Sequence, residues 1–188
     1  MNVRILEKNI VDHSEVQMRI LFISNIFADL KTTSEFIERV AIEASAQNAD
    51  IVLYGGGFVR GSHEAVTSLE PLTRIRAHLG RYFVLGDSDY LDDPARVRSF
   101  FQTRHIQDLT NAHVTIVKHG RALRLTGIDD AESGAPVVVQ KEQTDFPHVV
   151  FSQKLENIVG EEPEMRVVSQ SASFFRRPLL MTRIELGI

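Results

Sequence analysis

The sequence predicts a layered α/β sandwich with a mixed sheet. Two observations point there. In the first half of the chain, short apolar runs rich in Val, Ile, Leu and Phe alternate with helix-period stripes, giving the order β-α-β-α-β-α. In the second half, strand-like runs follow one another with little between them. Alternating elements feed parallel strands with helices packed on them, and the later strands extend the sheet structure. Most runs are continuously apolar rather than alternating, as in strands covered on both faces.

Eight runs carry the strand pattern: Arg19–Ser24, Asp50–Tyr54, Tyr82–Leu85, His113–Val117, Leu123–Ile128, His148–Phe151, Arg166–Ser169 and Leu179–Leu186. Between the first two, Ser34 to Ala46 places Phe36, Ile37, Val40, Ala41 and Ala44 on one stripe, with Thr33 or Ser34 as cap. His63 to Leu79 is a second helical stretch, and Pro71 inside it predicts a kink or a fresh start. Asp93-Pro94 opens a third helix through Val97, Phe100 and Phe101, with Asp at the cap and Pro at the first position. His119-Gly120 separates two strand-like runs, so Val114–Leu125 reads as a hairpin. Ala131–Gln140 and Glu161–Glu164 are loop-like. No linker divides the chain, and its 188 residues fit one domain, 1–188.

Composition excludes several classes. Apolar residues make up 43% and charged residues 24%, ordinary values for a globular protein. A net charge of −4 makes nucleic acid an unlikely partner, since such binders are usually basic. The chain has no cysteine, which removes disulfides and thiolate zinc sites and fits a cytoplasmic location. No apolar run approaches the ~18 residues of a membrane span, and the expectation is a protein with no membrane partner.

Ligand-bearing loops in open α/β sheets lie at the C-terminal ends of strands. Taken in order, those ends carry a resemblance. Phe22-Ile23-Ser24-Asn25-Ile26-Phe27 is similar to an opening in which Ser precedes Asp-x-His. Gly55-Gly56-Gly57-Phe58-Val59-Arg60 is similar to Gly-Asp-x-x-Asp. Gly86-Asp87-Ser88-Asp89-Tyr90 is close to Gly-Asn-His-Asp-Tyr. Gly127-Ile128-Asp129-Asp130 follows, then Phe151-Ser152-Gln153 where Ser-His would stand, and Ser169-Gln170-Ser171-Ala172-Ser173 where Gly-His-x-His would stand. In this order, over about residues 18 to 188, the chain resembles the calcineurin-like metallophosphoesterases. The resemblance implies two mixed β-sheets flanked by helices, and Met1–Gln17 as an extra N-terminal edge strand.

That family holds two metal ions, which activate water and clamp a phosphate ester, and needs oxygen and imidazole ligands converging on one spot. Carried over by position, the first Asp is Asn25, its His partner is Phe27, and the bridging Asp is Gly57. The Asn ligand is Asp87, the catalytic His is Ser88, the later His is Gln153, and the final two His are Ser171 and Ser173. Of these replacements only Asp87 can still bind a metal, through a carboxylate where the family has an amide. The expectation is no dinuclear centre, no cofactor and no catalytic residue. None of the seven histidines falls at a ligand position of the family.

Several residues leave two readings open. Asn25, Ser88, Gln153, Ser171 and Ser173 form either a polar ligand pocket or a decayed site closed by mutual hydrogen bonds. Arg60 is an anion-attracting group, a surface charge, or a partner of Asp87 or Asp89. Phe27, Arg60, Phe174, Phe175 and Arg176 form an interaction patch, or their aromatic rings plug the vacated site. Phe58 and Tyr90 read as core. Gly55-Gly56-Gly57 lacks the Lys-Ser/Thr of a phosphate loop.

The function that follows is a catalytically inactive member of the family, acting as an interaction or regulatory module on a protein partner or another copy of itself. Two alternatives stand beside it: a residual or repurposed phosphoesterase using Asp87, and a small-molecule binder in the remodelled site.

Overall fold

The computed structural model describes residues 4–10, 17–32, 34–91, 93–138, 146–160, 165–168 and 180–187. The first half contains β1 (Arg4–Ile10), β2 (Gln17–Ser24), α1 (Ser34–Ser45), β3 (Ile51–Tyr54), a 3₁₀ segment (His63–Arg74), β4 (Gly80–Phe83), α2 (Asp87–Tyr90) and α3 (Pro94–Gln102). The second contains β5 (Gln107–Asp108), β6 (Ala112–Lys118), β7 (Arg121–Gly127), β8 (His148–Ser152), a 3₁₀ turn (Leu155–Asn157), β9 (Met165–Val168) and β10 (Leu180–Gly187).

Among the described residues these strands form two mixed sheets, ordered β1-β10-β2-β3-β4-β5 and β6-β7-β8-β9. The three early runs are β2, β3 and β4, which lie side by side and parallel. β10 returns antiparallel to β2, and β1 lies outside it at the sheet edge. β6 and β7 form the antiparallel hairpin, and β8 and β9 continue parallel. The expected α/β sandwich of two mixed sheets with helices outside is the architecture observed.

The period of a strand sorts its side chains between two cores. Leu21, Ile23, Val52, Tyr54, Phe83 and Leu85 face the helical side, where they meet Phe36, Ile37 and Val40 of α1 and Val97 and Phe101 of α3. Their neighbours Ile20, Phe22, Ile51, Leu53, Tyr82 and Val84 face the second sheet, against Ile116, Leu123, Leu125, Val149 and Phe151. Both faces of β2 and β3 and of the end of β4 are therefore dry, which is why these runs read as continuously apolar. At the N-terminal end of the parallel strands, Asp50 Oδ2 accepts hydrogen bonds from the Arg19 N–H at 2.8 Å and from Lys118 Nζ at 2.8 Å. That second bond ties the first sheet to the hairpin of the second.

The stretch expected to be a kinked or restarted helix over His63–Leu79 is one 3₁₀ segment that contains Pro71 and stops at Arg74. Its hydroxyls explain the tighter winding. Thr67, Ser68 and Thr73 each donate to the carbonyl three residues earlier, on Glu64, Ala65 and Glu70. Such bonds compete with an α-helical ladder, and Pro71 has no N–H to give it. The segment is pinned by the buried Tyr54 hydroxyl, which donates to the Leu72 carbonyl at 2.8 Å.

Phe101 sits at the centre of the helical-side core. Its ring centroid lies 4.5 Å from Phe58, 5.1 Å from Phe83, 5.3 Å from Phe100 and 5.7 Å from Tyr54. Because four aromatic rings lean on it, Phe101→Ala is expected to cost about 3–5 kcal/mol, read as a lower denaturation midpoint.

Candidate functional site

The C-terminal ends of β2, β3, β4, β7 and β8 meet at one edge of the sandwich. The first two are zipped together by backbone. Asn25 N–H donates to the Gly56 carbonyl at 3.0 Å, Phe27 N–H to Gly57 at 2.8 Å, and Ala28 N–H to Phe58 at 2.8 Å. To make these bonds, the loop after β2 holds two non-glycine residues at positive φ, Asn25 at 59° and Phe27 at 48°. Asn tolerates that region, but for a bulky aromatic it is a strained conformation that its surroundings must enforce.

The loop after β4 is fastened to the loop after β3 by one carboxylate. Asp89 is fully buried. Its Oδ2 accepts N–H bonds from Gly57 and Gly86, both at 2.9 Å, and its Oδ1 accepts from Phe58 at 2.7 Å and Val59 at 3.1 Å. Burial pushes the Asp89 carboxyl up to about 7, and the four N–H donors work against that rise.

Asn25, Gly57, Asp87 and Gln153 lie together at the centre. Gln153 Nε2 donates to Asn25 Oδ1 at 3.1 Å, and Gln153 Oε1 accepts from the Asp87 N–H at 2.9 Å. The Gln153 amide thus spans the gap between the β2 and β4 loops. It also closes the space over Gly57, where a Cβ would lie 2.7 Å from Gln153 Nε2 and 3.0 Å from Asn25 Oδ1. No side chain fits at Gly57 while Gln153 and Asn25 stand as they do. Ser88 is buried beside this cluster. Its Oγ and Asn25 Nδ2 make no hydrogen bond among the described residues.

The donor set does not fit a two-metal centre. A bridging carboxylate has no room at Gly57, Phe27 offers no lone pair, and the Asn25 and Gln153 amides are bonded to each other. Among the described residues no group of three or more His, Cys, Asp or Glu is placed to hold a metal ion.

Sequence reasoning does not single out Lys154, yet it is the charged centre of this edge. Its side chain is only 6% exposed, and its Nζ lies 3.2 Å from Asp87 Oδ2, 3.4 Å from Asp130 Oδ2 and 3.3 Å from Glu132 Oε2. Burial pulls the Lys154 ammonium down, but Asp87 and Asp130 outweigh it and hold it above the usual lysine value. The available signal was a lysine two residues beyond the apolar run of β8. Asp130 is held in turn by N–H bonds from Glu132 and Ser133 to its Oδ1. Asp129 beside it accepts the Tyr90 hydroxyl at 2.6 Å.

Arg60 is exposed and pairs with neither Asp87 nor Asp89; its guanidinium carbon stands 4.2 Å over the centroid of the half-buried Phe27 ring. Phe58 is fully buried in the core, and Tyr90 packs against it. Ser171, Ser173, Phe174, Phe175 and Arg176 lie outside the described residues.

The sequence matches no protein-family model. It is similar to an uncharacterized metallophosphoesterase of Helicobacter pylori, 26% identical over 121 residues, which cover 64% of this chain and 32% of that protein. It is also similar to a transmembrane protein with metallophosphoesterase domain of Danio rerio, 28% identical over 123 residues, covering 62% of this chain and 28% of that protein. The chain therefore matches about a third of the length of these relatives. Among its described residues, no helix is long and apolar enough to cross a membrane. In fold it resembles the NAD nucleotidase NadN of Haemophilus influenzae, with a TM-score of 0.53 at 13% identity over 85% of this chain and 39% of that one.

Two substitutions check this geometry. Asp89→Ala orphans four buried N–H donors, each worth about 1–3 kcal/mol, so a loss of about 3 kcal/mol or more is expected at pH 5 in urea denaturation. The folded-state value of Asp89 lies above the unfolded one, so its contribution is full at acid pH and declines as pH rises through about 7. The gap between wild type and Asp89→Ala should therefore narrow between pH 5 and pH 8. Gly57→Ala meets both a φ of 70° and the Gln153 contact, whereas Gly61→Ala meets a φ of 75° with nothing within 4 Å. Thermal melts should show Gly57→Ala as the more damaging of the two, with a cost of about 1–3 kcal/mol from the backbone alone.

Proposed function

We propose that this chain, a member of the metallophosphoesterase superfamily, is a catalytically inactive one that serves as an interaction or regulatory module. The observation that carries the reading is the space over Gly57. In the family that position bears the carboxylate bridging both ions; here it lies under the Gln153 amide and Asn25. Without a bridging carboxylate, nothing offsets the repulsion between two cations a few ångströms apart. The loss concerns the site and not the scaffold, because the strand ends still converge on one point.

An interaction role is supported by what those loops expose. Phe27 is held in a strained backbone with Arg60 stacked on its face, and Leu30 on the same loop is 73% exposed. Aromatic and arginine side chains are favoured anchors in protein interfaces. A protein partner or a second copy of the chain fits this surface better than nucleic acid, given the net charge of −4.

Two measurements test the two halves of this proposal. With Mn²⁺ in excess, hydrolysis of bis(p-nitrophenyl) phosphate should not exceed the metal-only control, and calorimetry should give no binding of two ions. Saturable binding of two ions, with Asn25 and Asp87 as ligands, would overturn the inactive reading. For the interaction role, cross-links from Lys31, exposed beside Leu30, should join this loop to a partner or a second copy. Phe27→Ser with Arg60→Glu should abolish them, and persistence of the same cross-links in that variant would count against this surface.

A further inference from the structure

Lys154 sits at the junction of the two sheets. Two buried or mostly buried carboxylates from different sheets face one point: Asp87 opens α2 after β4 of the first sheet, and Asp130 follows β7 of the second. Left alone, two such charges would repel and press the two loops apart. The Lys154 ammonium lies between them, 3.2 Å from the first and 3.4 Å from the second, next in sequence to the Gln153 that fills the space over Gly57. Glu132 joins from the rim but is 76% exposed, so screening leaves it little part in the balance.

We propose that Lys154 is the resident cation of this site, standing in for metal charge by joining the Asp87 loop of one sheet to the Asp130 loop of the other. The inference rests on the inactive reading above and adds the device that makes the site self-sufficient. Positive charge at a metal centre is supplied by ions that must be bound and can be removed; here it is covalently part of the chain. The edge therefore keeps its shape with no divalent ion, while Lys118–Asp50 makes a second lysine–carboxylate tie at the opposite end of the parallel strands.

A double-mutant cycle with a sign reversal tests this. In the wild type, Asp87→Asn removes a partner of Lys154 and should lower the melting temperature. Lys154→Met removes the ammonium between Asp87 and Asp130 and should lower it further, on the order of 10 °C. In the Lys154→Met background, Asp87→Asn should raise the melting temperature, because it removes one of the two repelling charges. Chelator or Mn²⁺ should leave the wild-type melt unchanged. If Asp87→Asn lowers stability equally in both backgrounds, Lys154 is only packing and the inference falls, while the inactive reading stands. Should Lys154→Met not fold, a folded Lys154→Met/Asp87→Asn protein supports the inference and an unfolded one overturns it. Two ions bound by the wild type would overturn the inactive reading, and this inference with it.

Discussion

The candidate site depends on one carboxylate. Asp89 accepts the N–H groups of Gly57, Phe58, Val59 and Gly86, and so fixes the loops after β3 and β4 relative to each other. The β3 loop is zipped in turn to the β2 loop, which imposes positive φ on Asn25 and Phe27. Asn25, Phe27 and Gly57 are therefore placed by bonds of their own backbone. The strand ends are thus aimed at one point whatever side chains they carry. A scaffold held by main chain and one buried acid does not need the metal to define its geometry.

At the centre of the site the amides of Asn25 and Gln153 hydrogen-bond across the gap. The missing side chain at Gly57 leaves the space that pair requires. The carboxylates of Asp87 and Asp130 face Lys154. Without these partners buried polar groups would stand unsatisfied, at a cost of about 1–3 kcal/mol each. Together they close most of the network, with Asn25 Nδ2 and Ser88 Oγ left over among the described residues.

Much of the fold was legible from period alone. All eight apolar runs are strands, and α1 buries the five residues of its predicted stripe, because burial on two faces leaves a continuous hydrophobic signal. β5 escaped notice because two residues, Gln107 and Asp108, carry no period, and α2 because a four-residue helix offers less than one repeat beyond a turn. The 3₁₀ winding of His63–Arg74 was hidden because its stripe resembles an α-helix, while its cause lies in hydroxyl bonds to backbone. At the site, motif order located Asn25, Gly57, Asp87 and Gln153, but Lys154 was invisible. Its meaning depends on Asp87 and Asp130, which only the meeting of two sheets brings to it.

The return of β10 between β1 and β2 bears on how the molecule is made. β2 carries the loop with Asn25 and Phe27, and one of its two edges is covered only by β10, with Leu180 opposite Ser24 and Leu186 opposite Met18. During synthesis that edge stays open until residues 180–187 have left the ribosome. Until then the nascent chain displays the unpaired backbone of an apolar strand, a template for pairing with other chains. Long-range closure of this kind is slow to form because the loop-closure entropy must be met before the new contacts repay it. Chaperone demand therefore bears on this fold through the strand that carries the candidate site.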